Sequence, residues 1–168
     1  KPEDMKLLPG VPQALKKLKD AGYKLIVVTN QAEWQEVLYR RRCKNPSPVY
    51  EPAVRKEGAE IDAFYYCPHH PVHGIGAYKK VCNCRKPGTG MFEMAEKDFP
   101  VDRAASYMIG DKLLDTEAGQ KFGVTSILVG TGYGAELHKE QQENGEKPPY
   151  VHYAADLEQA AQWILERK

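Results

Sequence analysis

Three thiols and an imidazole stand in two tight pairs, Cys67-Pro-His69 and Cys82-Asn-Cys84. Zn²⁺ favours a tetrahedron of thiolate sulfur and imidazole nitrogen, and three cysteines with one histidine form a common closed set. The 14 residues between Cys67 and Cys82 are rich in glycine, proline and histidine, so a bound metal would hold a loop that has little apolar content of its own. His70 and His73 are rival nitrogen ligands on spacing alone. Such a set leaves no open position for water, and the predicted site is therefore structural rather than catalytic. The one-residue spacing within each pair departs from ordinary zinc fingers, and the plainer reading is scattered thiols beside surface histidines.

The second pair runs straight into Arg85-Lys86. A metal loop would fix the direction of these two cations, which in most sequences are simply solvated. Two more polar clusters follow apolar runs: Thr29-Asn30-Gln31 after "LIVV" and Asp111-Lys112 after "YMIG". A hydroxyl, an amide and nearby backbone N–H groups suit an anionic oxygen. A carboxylate at a strand end suits a hard cation such as Mg²⁺, and Asp115 lies one helical turn on, facing the same way. A lysine beside that aspartate suits a phosphate ligand, which needs both a metal and a cation. Turn or capping roles are the alternatives for Thr29 and Asp111.

The surrounding chain must bring these groups together. "VPQALKKLKDAGY" puts Val11, Ala14, Leu15 and Leu18 on one helical face with Gly22 as its stop. "KLIVVT" reads as a buried strand, "AEWQEVLYRRR" as a helix, and the proline-bearing stretch Lys44 to Gly58 as loop. "IDAFYY" is a strand, the window Cys67 to Cys84 an irregular excursion, and "GMFEMAEKDF" a helix ended by Pro100. "ASYMIGD" is a strand leading into the helix "KLLDTEAGQKF", which stops at Gly123, and "TSILVG" is another strand. "TGYGAELHKEQQENGEKPPY" reads as an exposed loop, a candidate lid, after which Asp156 caps "LEQAAQWILERK" with Gln159 as the other half of a capping-box pattern. Strands alternating with helices predict an α/β fold, a mostly parallel sheet covered on both faces. In such sheets ligands bind beyond the carboxyl ends of the strands, where all three polar clusters lie or can reach.

With 168 residues, one domain of ordinary size is expected over residues 1–168, with 67–84 as a zinc-binding loop. Lys and Arg (24) balance Asp and Glu (23), so no global field points to nucleic acid or an anionic membrane. No apolar run is long enough to span a bilayer and no leader pattern opens the chain, so a cytoplasmic protein without a membrane partner, and a monomer, is expected. Cys43, apart from the others, reads as a small buried hydrophobe or inert thiol.

Together, "VVTNQ", "CPHH", "CNCRKPGTGM" and "SYMIGDKLLDTEAG" resemble the haloacid dehalogenase-like phosphatases, and more narrowly the D-glycero-D-manno-heptose 1,7-bisphosphate 7-phosphatases of bacterial heptose biosynthesis. The resemblance covers nearly the whole chain. It implies a Rossmann-like three-layer sandwich without a large cap domain, and a Mg²⁺-dependent hydrolase that removes the 7-phosphate of a phosphosugar. It implies Cys67, His69, Cys82 and Cys84 as zinc ligands. Thr29 would steady the transferring phosphoryl group, with Asn30 and Gln31 beside it. Arg85 and Lys112 would contact substrate, Lys86 would neutralise phosphoryl oxygens, and Asp111 would hold Mg²⁺.

The likeness has two departures. The family reaction uses an Asp-x-Asp-Gly-Thr sequence, the first Asp as nucleophile and the second as general acid and base, and no such sequence occurs among these residues. The Ser-Gly and Arg-Gly-containing loop expected after Gln31 is also missing, since Ala32 follows at once. Our expectation is that both segments are lost from the sequence as given. Three alternatives follow: a histidinol-phosphate phosphatase, which has the same zinc-loop pattern but typically a shorter loop; a non-catalytic zinc-stabilised phosphosugar-binding module; and, weakest on charge, a zinc-based nucleic-acid binder.

Overall fold

The computed structural model describes residues 8–30, Arg55 and residues 58–167. The expected helix "AEWQEVLYRRR", Gln31, Cys43 and nearly all of the loop from Lys44 lie outside the described residues. Helix α1, Val11–Asp20, starts with Pro12 in its first turn and buries Pro12, Ala14 and Leu18. Strands β1, Ile26–Asn30, and β2, Ala63–Cys67, pair in parallel so that Thr29 lies beside Tyr66 and Asn30 beside Cys67. Asp62 fixes the start of this pair: its N–H donates to the Leu25 carbonyl at 2.8 Å and its carboxylate accepts the Leu25 N–H at 2.7 Å.

After the metal-loop window come α2, Gly90–Asp98, β3, Tyr107–Gly110, α3, Leu113–Phe122, and β4, Thr125–Val129. Gly123 ends α3 with φ of 93°, a conformation open to glycine and costly for other residues. Helix α4 spans Gly134–Asn144, β5 spans His152–Ala154, and α5 spans Leu157–Glu166 with Asp156 accepting the Gln159 N–H at 2.8 Å as its cap. The stretch expected as an exposed loop is therefore helical over much of its length, and a short strand follows it. Its polar composition hid the helical period.

Every strand pair is parallel, in two groups among the described residues: β1 with β2, and β3–β4–β5. Two apolar layers bind the groups together. On one side Ala14 and Leu18 of α1 meet Ile127, Val129 and Ala154 of the sheet and Ala160, Ala161 and Ile164 of α5, with Val27, Tyr107 and Ile109 packed against them. On the other, Phe92 of α2 and Ala118 and Phe122 of α3 meet Met108, with Val28 against them. Val27 and Val28 point to opposite layers, as adjacent strand residues must. The result is a helix–sheet–helix sandwich whose β1, β3 and β4 end at the same polar edge, without a second folded unit among the described residues.

Candidate phosphate and metal site

Cys67 closes β2 and is fully buried; the loop that leaves it contains only one short 3₁₀ turn, Gly76–Tyr78. The Sγ atoms of Cys67, Cys82 and Cys84 and the Nδ1 of His69 all lie within 4.8 Å of one another. The thiols stand 3.0 to 3.3 Å apart, and His69 Nδ1 is 3.3 Å from the Cys84 sulfur. None of the three cysteines is in a disulfide. His70 is tied down differently: its Nδ1 accepts the N–H groups of Val72 at 3.1 Å and His73 at 2.9 Å. Of the three histidines open on spacing, the backbone thus delivers His69 to the cluster.

Burial pushes the Cys67 thiol up, with hydrogen bonds from Cys84 and Cys82 acting in the same direction. Burial also opposes charge on Cys82, but hydrogen bonds from Cys84 and Cys67 outweigh it and bring that thiol below the ordinary range. Cys84 is raised, first by burial. Burial and then Lys80 hold His69 toward its neutral form, which is the ligating one. Three crowded thiols with one poised to ionise are a donor set that suits a thiophilic cation, and the four side chains offer a closed shell for Zn²⁺.

The loop then returns to the sheet. Arg85 donates from Nη1 to the His69 carbonyl at 3.1 Å, so its guanidinium is held by the cluster's own backbone. Asn30, at the end of β1, accepts the Lys86 N–H at 2.9 Å and donates to the Lys86 carbonyl at 3.1 Å. Lys86 is 8% exposed, and its Nζ donates to the Val28 carbonyl at 2.9 Å and to Asp115 Oδ1 at 2.6 Å. Asp115 is likewise buried, and its other oxygen accepts the Lys112 N–H at 3.2 Å. Rather than facing a cation alongside Asp111, Asp115 is the counter-charge of Lys86. Gly110 makes room for it, because a Cβ there would stand 2.4 Å from the Asp115 Cβ.

Asp111 follows β3, and its Oδ2 accepts the Tyr133 N–H at 3.4 Å from the loop after β4. Gly132 allows that approach: with φ of +61°, its missing Cβ would come within 2.2 Å of Asp111 Oδ2. The exposed Lys112 carries its ammonium over the Tyr133 ring at 5.0 Å. Thr29 ends up half-buried next to Asn30. Thus Thr29, Asn30, Lys86, Asp115, Asp111 and Lys112 gather at the carboxyl edge of β1, β3 and β4. The sequence reading missed the pairing of Asp115 with Lys86 and the part of Gly132 and Tyr133. The Gly-x-Gly-x-Gly spacing of residues 130–134 was the available signal for the latter.

Residues 83–160 match the HAD-hydrolase-like family. D-glycero-β-D-manno-heptose-1,7-bisphosphate 7-phosphatase from Haemophilus ducreyi is 41% identical over 133 residues, 77% of this chain and 72% of that protein. The chain belongs to this heptose bisphosphate phosphatase family. The Photorhabdus laumondii phosphatase of the same name is 36% identical over 96% of this chain and 85% of its own length. The crystal structure of D,D-heptose 1,7-bisphosphate phosphatase from B. bronchiseptica, complexed with magnesium and phosphate, superposes with a TM-score of 0.78 at 27% identity, covering 99% of this chain and 88% of that one. Among the described residues no helix is long and apolar enough to cross a membrane. In this phosphatase family member the carboxyl edge of the sheet carries the buried ammonium of Lys86 and, beyond β3, the carboxylate of Asp111.

Proposed function

We propose that this chain works as a Mg²⁺-dependent phosphatase on the 7-phosphate of D-glycero-D-manno-heptose 1,7-bisphosphate, in the cytoplasm and as a monomer. One observation carries the reading: Lys86, its ammonium buried between Val28 and Asp115, at the exit of a thiol–imidazole loop that also fixes Arg85. A buried lysine with two of its three N–H groups engaged has one donor to give, and a phosphoryl oxygen at the strand ends is the acceptor that site suits. Thr29 can offer its hydroxyl to the same group. Arg85 presents a planar fork to a second anionic group, the pattern a bisphosphate needs. Asp111 is the residue to hold Mg²⁺, which when bound neutralises charge on the phosphoryl oxygens. Zn²⁺ at Cys67, His69, Cys82 and Cys84 would order the loop without touching substrate.

The Asp-x-Asp-Gly-Thr sequence of the family reaction does not occur among these 168 residues, so the reading is tested first at the level of binding. Calorimetry with Mg²⁺ present tests the reading. Heptose 1,7-bisphosphate should bind at least about tenfold more tightly than histidinol phosphate, and phosphate release should follow the same order. The reverse preference would overturn the substrate assignment.

A further inference from the structure

Tyr133 opens the stretch that the site chemistry left unused, and three contacts tie it to the site. Its backbone N–H reaches Asp111 Oδ2. Gly132, just before it, lets the loop lie against that carboxylate. Its ring lies under the Lys112 ammonium at 5.0 Å. Yet the residue is 63% exposed, so packing does not explain a large aromatic side chain there. Tyrosine has an apolar face that suits the C–H surface of a sugar and a hydroxyl that can bond to sugar oxygens, while a cation over the ring is attracted to its π face.

We propose that Tyr133 is a specificity-determining residue: its ring, at the mouth of the site beside Lys112, bears on the carbon skeleton of the phosphosugar, so that sugar phosphates are favoured over bare phosphate. The proposal rests on the phosphosugar reading above. The backbone bond to Asp111 does not depend on the side chain, so truncating the ring should leave cation binding in place. Lys112 contributes charge to any phosphate, whereas the ring adds something only when carbon is attached.

The test is calorimetry with Mg²⁺ alone, inorganic phosphate, and heptose 1,7-bisphosphate, on the wild-type chain and on Tyr133→Ala and Tyr133→Phe. The alanine variant should lose about 5- to 30-fold in affinity for the bisphosphate, with less than about a twofold change for Mg²⁺ and inorganic phosphate. The phenylalanine variant, which keeps the ring, should recover most of that loss. Equal losses for bisphosphate and inorganic phosphate, or no loss for either, would overturn the proposal. A failure of the functional reading would look different, because the wild-type chain itself would then bind the heptose bisphosphate no better than inorganic phosphate.

Discussion

The carboxamide of Asn30 closes on the backbone of Lys86 from both sides, accepting its N–H at 2.9 Å and donating to its carbonyl at 3.1 Å across 56 residues of sequence. Because Asn30 is paired with Cys67 in the parallel register of β1 and β2, the same strand end is adjacent to the thiol–imidazole cluster and clamps Lys86, the lysine proposed to meet the phosphate. The clamp uses the carboxamide oxygen and one of its two N–H groups, so the second N–H is left as a donor toward the strand ends. Replacing it by Asp keeps one acceptor, loses the donor and sets a carboxylate against a carbonyl. We expect Asn30→Asp to cost about 1–3 kcal/mol of stability, as for a buried polar group left unsatisfied, and to weaken phosphate binding while zinc content is retained. Urea unfolding together with metal analysis checks this; unchanged stability would show that the clamp is incidental.

The buried pair formed by Lys86 and Asp115 separates binding from folding. Removing one partner leaves an uncompensated charge, which typically costs about 3–5 kcal/mol, whereas replacing both with apolar residues of similar volume is often neutral. Lys86→Met and Asp115→Leu should each destabilise by that order. The double variant should recover most of the stability yet bind inorganic phosphate at least about tenfold more weakly than wild type. A double variant that still binds phosphate normally would remove Lys86 from the site.

With Zn²⁺ bound to the cluster as proposed, its removal should divide the site in two. Cys67, His69, Cys82 and Cys84 gather the loop, and Arg85 is fixed to the His69 carbonyl, whereas Asp111 follows β3 and is held by the Tyr133 N–H. A thiol-competent chelator should therefore lower affinity for the bisphosphate and increase proteolysis between residues 68 and 81, while Mg²⁺ affinity measured by calorimetry changes by less than about twofold. Parallel loss of both would mean that the metal holds the whole fold.

Much of this arrangement was legible because it is written in local periodicity. Ala14 and Leu18 recur at helical spacing, β1 and β4 are short β-branched or apolar runs, and Asp156 with Gln159 marks the start of α5. The convergence of the three thiols and the imidazole was legible because they are rare residue types in tight pairs. Asp115 was different: it stands one turn after Asp111, and only the fold, by bringing Lys86 from 29 residues away, decides which charge it faces. Helix α4 was missed because its buried contact is a glycine, Gly134, seated beside the Val129 carbonyl rather than an apolar stripe. The three residues of β5 are too few for a pattern to accumulate.

Asp62 gives the fold a measurable acid limb. Its side chain is 14% exposed and lies 2.5 Å from Lys19 Nζ, and it also accepts the Leu25 N–H. Burial works against its charge, but the hydrogen bonds from Lys19 and Leu25 and the charges of Lys19 and Lys24 prevail and hold its carboxyl below the usual range. In the unfolded chain the group takes up a proton more readily than in the folded one, so falling pH favours unfolding. Its contribution is thus complete above the ordinary carboxylate pKa of about 4 and disappears as pH falls through the depressed folded value. The difference in unfolding free energy between wild type and Asp62→Asn should be about 1.5–3 kcal/mol near pH 7, the value of a hydrogen bond to a charged group. It should stay level down to about pH 5 and shrink below about pH 4. Urea titrations of both proteins across that range check it, and a difference that persists undiminished to about pH 2.5 would mean that Asp62 supports β1 by shape rather than by charge.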